Sequence, residues 1–577
     1  MIDRLASLTS GIWVLSRRLV CLIALMLSAC DDGSPLITVV HTDLGDVRGV
    51  VRNGATEFRN IPYGAAPVGD LRWAPTKPAA PWAGVRDANK FGSACPQQAR
   101  FNLTEESLDE DCLFLNVSVP ADISAGEKLP VMFWIHGGAF VGGSSNLYRL
   151  DWMVSKGRII VVSVNYRLGV FGFMSHPAFA IDGYNGNYGL EDQREALRWV
   201  QRNIAAFGGD PMKVTVAGES AGAGSVCMHL ASPDLVNGLF HQGILMSAGC
   251  LQPLKSIAEA EKVGQVVVAG VDCNTGDNAA ILDCMRSKPV MDLLTAQGNY
   301  TSSHPEDLVP FAPVAGDSDH PNRTVPRSFR EAIDTNMTVN VPLLYGGTRE
   351  EIRIYIGYFW QAAQAGHGPP INMDTFTDIW LPMLYPGTAP DGRTFAQKIA
   401  AEYIPQEGFT QLTDVPETLG GLMSDFTPSA LINNCLYLHT AAALSKRTNA
   451  APIYEWEFAD EDALVLGIGI AEPYPDFKMA AVHSSELNYI FPNFSNTSKI
   501  DAPDLAPSSQ GLAEHMIAYW ASFIHTGEPA ETSLLTWPQF AGGASVMVLA
   551  PGKIGTYDAS SRHHCSFWAS LYPDRLN

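Results

Sequence analysis

Short runs of consecutive apolar residues recur along the chain and predict buried strands. Two lie close together, at residues 129–135 (Leu-Pro-Val-Met-Phe-Trp-Ile) and 159–164 (Ile-Ile-Val-Val-Ser-Val). A third run follows at residues 214–217, and the same pattern returns at residues 453–458 and 545–549. Runs that are apolar at nearly every position are typical of strands covered on both faces of a sheet.

Helical periodicity appears between these runs. Residues 190–204 carry apolar side chains near one helix face, at Leu190, Leu197, Val200 and Ile204. Further helices are predicted from Ala221 onward and over residues 511–524. Strands that alternate with helices predict an α/β fold with a mainly parallel sheet. Residues 255–440 are richer in helix and loop, and we interpret them as insertions that shape a substrate gorge over the sheet.

The first candidate chemical motif is a serine between two glycines. Residues 218–222 read Gly-Glu-Ser-Ala-Gly and match G-x-S-x-G, a tight strand-to-helix turn that exposes the serine. About 0.3 chance matches are expected in a chain with this glycine content, so the context decides. Here a predicted strand precedes the motif and a helix of small residues follows it. This placement favours Ser220 as a nucleophile.

A serine hydroxyl is a weak nucleophile near neutral pH, so it needs a base and donors for the developing oxyanion. Residues 136–140, His-Gly-Gly-Ala-Phe, follow a predicted strand and are similar to the glycine-rich oxyanion loop of esterases. The expected donors are the N–H groups of Gly138, Ala139 and Ala221. An ordinary glycine turn is the alternative. Glu219, beside the serine, either tunes the charge of the site or only shapes the turn.

Longer segments resemble the type-B carboxylesterase and cholinesterase family. Two match that family's signatures, and two more resemble its other motifs: residues 207–222, 110–116 (Glu-Asp-Cys-Leu-Phe-Leu-Asn), 61–73 and 165–173. The resemblance runs in order from residue 38 to residue 573. It implies an α/β-hydrolase fold, with a large, mostly parallel sheet flanked by helices. It also implies a serine carboxylesterase that acts on small-molecule esters and uses neither a cofactor nor a metal.

The resemblance also assigns the other catalytic residues. Residues 346–351, Gly-Gly-Thr-Arg-Glu-Glu, resemble the segment that ends in the catalytic acid, which selects Glu351. Glu350 stays open as the alternative, because composition does not separate adjacent carboxylates. Residues 482–491 resemble the histidine motif, so His483 is the expected base. The chain order of serine, acid and histidine is that of α/β-hydrolases.

The cysteines indicate in which cellular compartment the protein is expected to fold. Six of the ten cysteines match disulfide positions of the family, which implies the pairs Cys95–Cys112, Cys273–Cys284 and Cys435–Cys565. Cys227 and Cys250 are left over, and we interpret them as buried thiols, with a bridge between them as the alternative. Such disulfides fit an exported protein.

The amino-terminal residues resemble an export signal. Arg17 and Arg18 precede a short apolar run, which ends in Leu-Ser-Ala-Cys at residues 27–30. This tetrapeptide resembles a bacterial lipobox, so Cys30 is the candidate lipidation site. We therefore predict a signal over residues 1–30, a polar tether over 31–37 and one catalytic domain over 38–577. The expected location is periplasmic or at the cell surface, with membrane attachment through lipid; secretion after simple cleavage is the alternative.

The net charge of the chain disfavours one class of binding partner. The chain carries 60 Asp and Glu against 38 Lys and Arg, a formal net charge of −22. Such a surface repels phosphate backbones and disfavours nucleic acid as a partner. Two functional alternatives stay open. One is an amidase or acyltransferase that uses the same triad. The other is a catalytically silent adhesion protein, which would be expected to lack triad residues.

Overall fold

A computed structural model describes residues 37–99, 106–124, 126–304, 307–317, 319–405, 408–465, 474–495 and 502–576. The predicted signal and its candidate lipidation site, Cys30, lie outside these ranges. So does the predicted tether, except for its last residue, Ile37, which begins the first strand.

Thirteen strands form one sheet in the described part of the chain. Their bounds are β1 (Ile37–His41), β2 (Asp46–Arg52), β3 (Ala55–Pro62), β4 (Val85–Asp87), β5 (Phe114–Pro120), β6 (Leu129–Ile135), β7 (Ile160–Val164), β8 (Gly209–Glu219), β9 (Gln242–Met246), β10 (Leu343–Thr348), β11 (Ile453–Phe458), β12 (Val546–Leu549) and β13 (Gly555–Tyr557).

The strand directions divide the sheet into a parallel centre and antiparallel margins. The order is β1-β2-β3-β5-β7-β6-β8-β9-β10-β11-β12-β13, with β4 beside β2. All neighbours from β7 to β12 run parallel. Along this order the pairs from β1 to β7 and the pair β12–β13 are antiparallel, whereas β4 runs parallel to β2. The mostly parallel sheet predicted from the sequence is therefore correct for the centre, whereas the short connections between β1, β2 and β3 form antiparallel hairpins.

Ten helices of eight or more residues lie in the described ranges. They are α1 (Tyr188–Asn203), α2 (Ala221–Leu230), α3 (Ile257–Gly270), α4 (Asn278–Ser287), α5 (Val290–Ser303), α6 (Arg353–Gln364), α7 (Phe395–Tyr403), α8 (Asp414–Asp425), α9 (Asn434–Ser445) and α10 (Pro507–Thr526). Shorter α-helices are Asp151–Gly157, Gly169–Gly172, Pro233–Val236, Phe329–Asp334, Met373–Thr375, Leu381–Leu384, Leu487–Ile490, Ala559–Arg562, Cys565–Leu571 and Pro573–Leu576. Across the described ranges, no helix combines the length and apolarity that a membrane span requires.

Helices cover both faces of the sheet. Alternate residues of β6 enter two separate cores, Phe133 on one face and Trp134 on the other. Trp199 of α1 joins the first core, and Trp520 of α10 joins the second. Because both faces are buried, β6 needs apolar residues at every position, which explains its uninterrupted pattern.

Most predicted elements occur close to their expected bounds. The runs at 129–135 and 453–458 coincide with β6 and β11. Strand β8 is longer than the predicted run at 214–217, because its polar start still pairs with β6 through the backbone. Helix α10 also exceeds its prediction. It begins at Pro507, and Gly527, with a φ of 81°, ends it in the left-handed conformation that suits glycine.

Four disulfides connect the described residues. The three predicted pairs are present, and Cys227 bonds Cys250 as a fourth. The interpretation of Cys227 and Cys250 as buried thiols was therefore wrong. Cys227 lies in α2 and Cys250 follows β9, and their Cα atoms are 5.2 Å apart, within the range of a disulfide. Both side chains are buried, as the interpretation expected, but their sulfur atoms bond each other.

Candidate active site

Ser220 occupies a sharp turn between β8 and α2. Its φ of 55° and ψ of −122° lie in a strained region that residues other than glycine seldom adopt. The turn is compact: a Cβ on Gly218 would lie 2.5 Å from the carbonyl carbon of Gly222, and one on Gly222 would overlap the carbonyl oxygen of Ile135. The Ser220 N–H donates to the Met246 carbonyl at 2.8 Å. Glycines are thus required at both flanking positions, as the motif predicted.

A continuous hydrogen-bond chain joins the three expected catalytic side chains. The Nε2 atom of His483 lies 2.9 Å from the Ser220 hydroxyl oxygen. The Nδ1 atom of the same ring lies 2.6 Å from a carboxylate oxygen of Glu351. The serine comes from the turn after β8, the glutamate follows β10, and the histidine comes from the loop before the helix Leu487–Ile490. Parallel strands place their carboxyl ends at one edge of the sheet, which brings Ser220 and Glu351 together.

The structure separates the two adjacent glutamates. The Glu351 carboxylate is fully buried and contacts His483, and its other oxygen accepts from the Thr348 N–H at 3.0 Å and the Tyr437 hydroxyl at 2.9 Å. The Glu350 carboxylate instead accepts from the Ala481 N–H at 3.2 Å. Of the two, Glu351 is therefore the residue that can orient the imidazole.

Buried charges shift the proton affinities of this chain. Burial alone would raise the pKa of Glu351, but the His483 charge and several hydrogen bonds hold that pKa below its usual value. Burial alone would lower the pKa of His483. The carboxylates of Glu219 and Glu351 outweigh burial and raise the pKa of His483 to about 9. The buried carboxylates therefore stabilise the protonated imidazole, which is the form that His483 takes after it accepts a proton from the serine.

Glu219 places a second carboxylate against the same imidazole. One of its oxygens lies 3.3 Å from His483 Nε2 and accepts a hydrogen bond from the Ser484 hydroxyl at 2.6 Å. Burial raises the pKa of Glu219, although the imidazole charge opposes the shift. Glu486 is buried in the same region. Burial and the charges of Glu219 and Glu351 raise the pKa of Glu486 well above its usual value.

The predicted oxyanion loop has an unusual backbone. Gly138, Ala139 and Phe140 all have positive φ, at 109°, 52° and 61°. A Cβ on Gly138 would overlap the Gly142 carbonyl oxygen, so the loop admits only glycine there. Within the described residues, the N–H groups of Gly138 and Ala139 donate no hydrogen bond, and the N–H of Ala221 opens α2. A first-turn N–H has no intrahelical acceptor, so all three groups remain available to a ligand oxygen.

An aromatic side chain from the segment 255–440 lies beside His483. The Tyr355 ring of α6 is 39% exposed, and its centroid lies 6.4 Å from that of the His483 ring. Helix α6 belongs to the segment that we interpreted as a gorge-forming insertion. No group of three or more His, Cys, Asp or Glu side chains in the described ranges is placed to hold a metal ion.

The structure contains a buried ionic network near Glu351 that the sequence did not predict. His563, 1% exposed, lies between two carboxylates, with Nδ1 2.6 Å from Asp425 and Nε2 2.5 Å from Glu457. Glu457 also accepts from Arg349 at 2.6 Å, two residues before Glu351. Burial opposes the imidazolium, but the two carboxylates raise the pKa of His563 to about 9. No motif marks these residues, because they come from four separate segments.

The sheet, the strained serine turn and the Ser-His-Glu chain define an α/β-hydrolase. A model of the Carboxylesterase family matches residues 37–568. The chain belongs to this family and is a carboxylic ester hydrolase.

Similar proteins agree with this assignment. The chain is 31% identical to human cocaine esterase (95% of this chain, 93% of the relative) and 31% identical to para-nitrobenzyl esterase of Bacillus subtilis strain 168 (87% and 92%). It is also 31% identical to fumonisin B1 esterase of Sphingopyxis macrogoltabida (91% and 88%). Among solved structures, a PNB esterase superimposes with a TM-score of 0.70 at 29% identity, covering 92% of this chain and 99% of the other.

Proposed function

We propose that the protein hydrolyses small-molecule carboxylic esters through an acyl-enzyme on Ser220, with His483 as base and Glu351 as orienting acid. The hydrogen-bond chain from Ser220 through His483 to Glu351 is the observation that carries this proposal. A nucleophile in contact with a base, and a base in contact with a buried carboxylate, is the geometry that nucleophilic acyl transfer requires.

The reaction proceeds in two halves. His483 Nε2 takes the hydroxyl proton while Ser220 Oγ bonds to the carbonyl carbon, and the N–H groups of Gly138, Ala139 and Ala221 hold the oxyanion. The ester C–O bond then breaks, and His483 gives its proton to the departing alcohol. Water next loses a proton to His483 and attacks the acyl carbon. The bond to Ser220 breaks, the acid leaves, and the serine regains a proton.

The decisive experiment combines esters, a serine-directed phosphonate and two variants. Wild-type protein should hydrolyse p-nitrophenyl esters and form one phosphonate adduct, located at Ser220 by mass spectrometry. Ser220→Ala should lose about 10⁴-fold or more of kcat with unchanged folding, because the nucleophile is absent. Ser302→Ala, at an exposed position of α5, is the matched control and should retain full activity. Hydrolysis by Ser220→Ala at the wild-type rate, or an adduct on another residue, would contradict the mechanism.

The substrate preference should depend on Tyr355. Its half-exposed ring beside His483 offers an apolar surface to the acyl or alcohol group of the ester. Tyr355→Ala should therefore raise KM more for aromatic and long-chain esters than for acetate esters. An equal change for all chain lengths would remove Tyr355 from substrate selection.

We also propose that the protein works outside the cytoplasm. The signal-like segment and the four disulfides support this location, since disulfides persist mainly in oxidising compartments. Cell fractionation together with fatty-acid labelling tests the proposal. The label should enter the wild-type protein and not Cys30→Ser; recovery of both in the cytoplasm, unlabelled, would exclude export.

A further inference from the structure

A cationic groove lies on the protein between the short helix Phe329–Asp334 and the end of α9. Its volume is about 430 Å³. We use the name cationic groove for the cavity lined by Arg330, His439, Lys446 and Arg447, with Asp334 as its acidic residue. Arg330 and Arg447 are half-buried, whereas Lys446 and Asp334 are exposed. The groove is built from residues that the ester-hydrolysis mechanism does not use.

The cations of the groove lack carboxylate partners. Arg330, Lys446 and Arg447 form no ion pair with any carboxylate in the described ranges, although acidic residues outnumber basic ones by 60 to 38. By contrast, Arg393 and Lys398 on another surface both pair with Asp391. Three cations that no carboxylate pairs repel one another across the groove, and an anion bound there would relieve that repulsion.

The hydrogen-bond donors in the groove are only partly used. Arg447 is anchored through Leu444, Thr338 and Asn340, so it contributes mainly its charge. Arg330 donates from Nη2 to His439 Nε2 at 2.9 Å, and the remaining N–H groups of its guanidinium make no hydrogen bond that the described residues account for. Lys446 offers three further N–H groups.

The pKa of His439 also indicates a positively charged environment in the groove. Burial, followed by the charges of Arg330 and Lys446, lowers the pKa of His439 to about 4. The ring is therefore neutral at pH 7. Three cations and one carboxylate, Asp334, then leave the groove with a net charge of +2.

We propose that the cationic groove binds a small dianion whose oxygens belong to a phosphate group or to a pair of carboxylates. A charge of −2 matches the groove, and the free N–H groups of Arg330 and Lys446 match oxygen acceptors. The volume lies in the range of small-molecule sites. A large polyanion fits poorly, because the rest of the protein is strongly acidic.

Calorimetric titration of the full protein at constant ionic strength tests this inference. The probes are inorganic phosphate, malonate and acetate. Phosphate or malonate should bind saturably with one site per chain and at least tenfold more tightly than acetate. Whichever of the two binds more tightly shows whether the groove prefers a phosphate group or a pair of carboxylates. Absence of saturable binding by both dianions, or equal binding of acetate, would overturn the proposal.

Variants locate the binding. The double variant Arg330→Gln, Lys446→Gln should weaken phosphate or malonate binding at least tenfold. Arg393→Gln, Lys398→Gln removes the same charge from cations that already have a carboxylate partner, so it should leave the affinity unchanged. Asp334→Asn, at an exposed position, should strengthen binding. Equal losses in both double variants would show that the anions respond only to the overall charge. No gain in Asp334→Asn would show that they do not bind in the groove, and either result would overturn the proposal.

Discussion

The charge of Glu219 should set the pH at which the enzyme becomes active. His483 must be unprotonated to accept the Ser220 proton, so the acidic limb of kcat/KM reports its pKa in the free enzyme. Glu219 stabilises the protonated ring from 3.3 Å. Replacing it by glutamine keeps the shape and removes the charge. The pKa of His483 should therefore fall, and the acidic limb should move to lower pH.

The distance gives the size of the shift. Two unit charges 3.3 Å apart interact by about 5 kcal/mol at an effective dielectric constant of ~20 and by about 1.3 kcal/mol at ~80. At about 1.4 kcal/mol per pKa unit, these limits span roughly one to four units. The pKa of His483 is raised from 6.5 to about 9 by Glu219 and Glu351 together, against burial. The share of Glu219 is thus on the order of one to two units.

The assay is the pH dependence of kcat/KM for an ester whose leaving group does not titrate in the measured range. Glu486→Gln is the matched control, since it is the same exchange at a neighbouring buried carboxylate that raises the pKa of His483 less than Glu219 does. It should shift the acidic limb by much less than Glu219→Gln. Equal shifts in the two variants, or a shift of Glu219→Gln to higher pH, would refute the electrostatic reasoning.

Three further predictions concern the surroundings of the site. Tyr437→Phe removes a donor from the Glu351 carboxylate and should lower kcat about tenfold, since a hydrogen bond to a charged group is worth ~1.5–3 kcal/mol. His563→Gln should destabilise the protein by roughly 3–5 kcal/mol at pH 6, judged from its buried ion pairs. Its folded pKa exceeds 6.5, so this stabilisation is complete below pH 6.5 and is lost as the pH rises through about 9. Iodoacetamide should leave Cys227 and Cys250 unmodified in denatured, unreduced protein and modify both after reduction.

Each of these predictions has a control in the same chain. Tyr345→Phe removes a hydroxyl that donates to the Ala248 carbonyl, so kcat should stay near the wild-type value. His564→Gln changes the neighbouring, partly exposed histidine and should cost much less stability than His563→Gln. Denaturant unfolding at several pH values measures that difference; a stability gap between wild type and His563→Gln that does not narrow from pH 6.5 to pH 9 would contradict the ionic network. Alkylation of Cys227 before reduction would show that its disulfide is absent.

Motifs located much of the candidate site in advance. Ser220 and the loop at Gly138 and Ala139 stand in short segments whose residues must be small, or must take a strained backbone, for local reasons. His483 was indicated by the resemblance of residues 482–491 to the histidine motif of the family. The strand pattern was equally local: β6 and β11 coincide with their apolar runs because each strand is buried on both faces. The antiparallel margins were not foreseen, since strand direction depends on how the chain returns to the sheet.

Sequence alone determined the strand and helix pattern and the serine turn with its glycines. These features depend on near-neighbour sterics and on the spacing of apolar residues, which a single chain displays directly. Tertiary structure alone decided the choice of Glu351 over Glu350, the Cys227–Cys250 bond and the His563 network. Each of these rests on residues that are not near neighbours in the chain. Cys227 and Cys250 are 23 positions apart, His483 meets a glutamate 132 positions away, and His563 meets carboxylates 138 and 106 positions away. Such contacts follow from sheet order and helix docking, which local patterns do not encode.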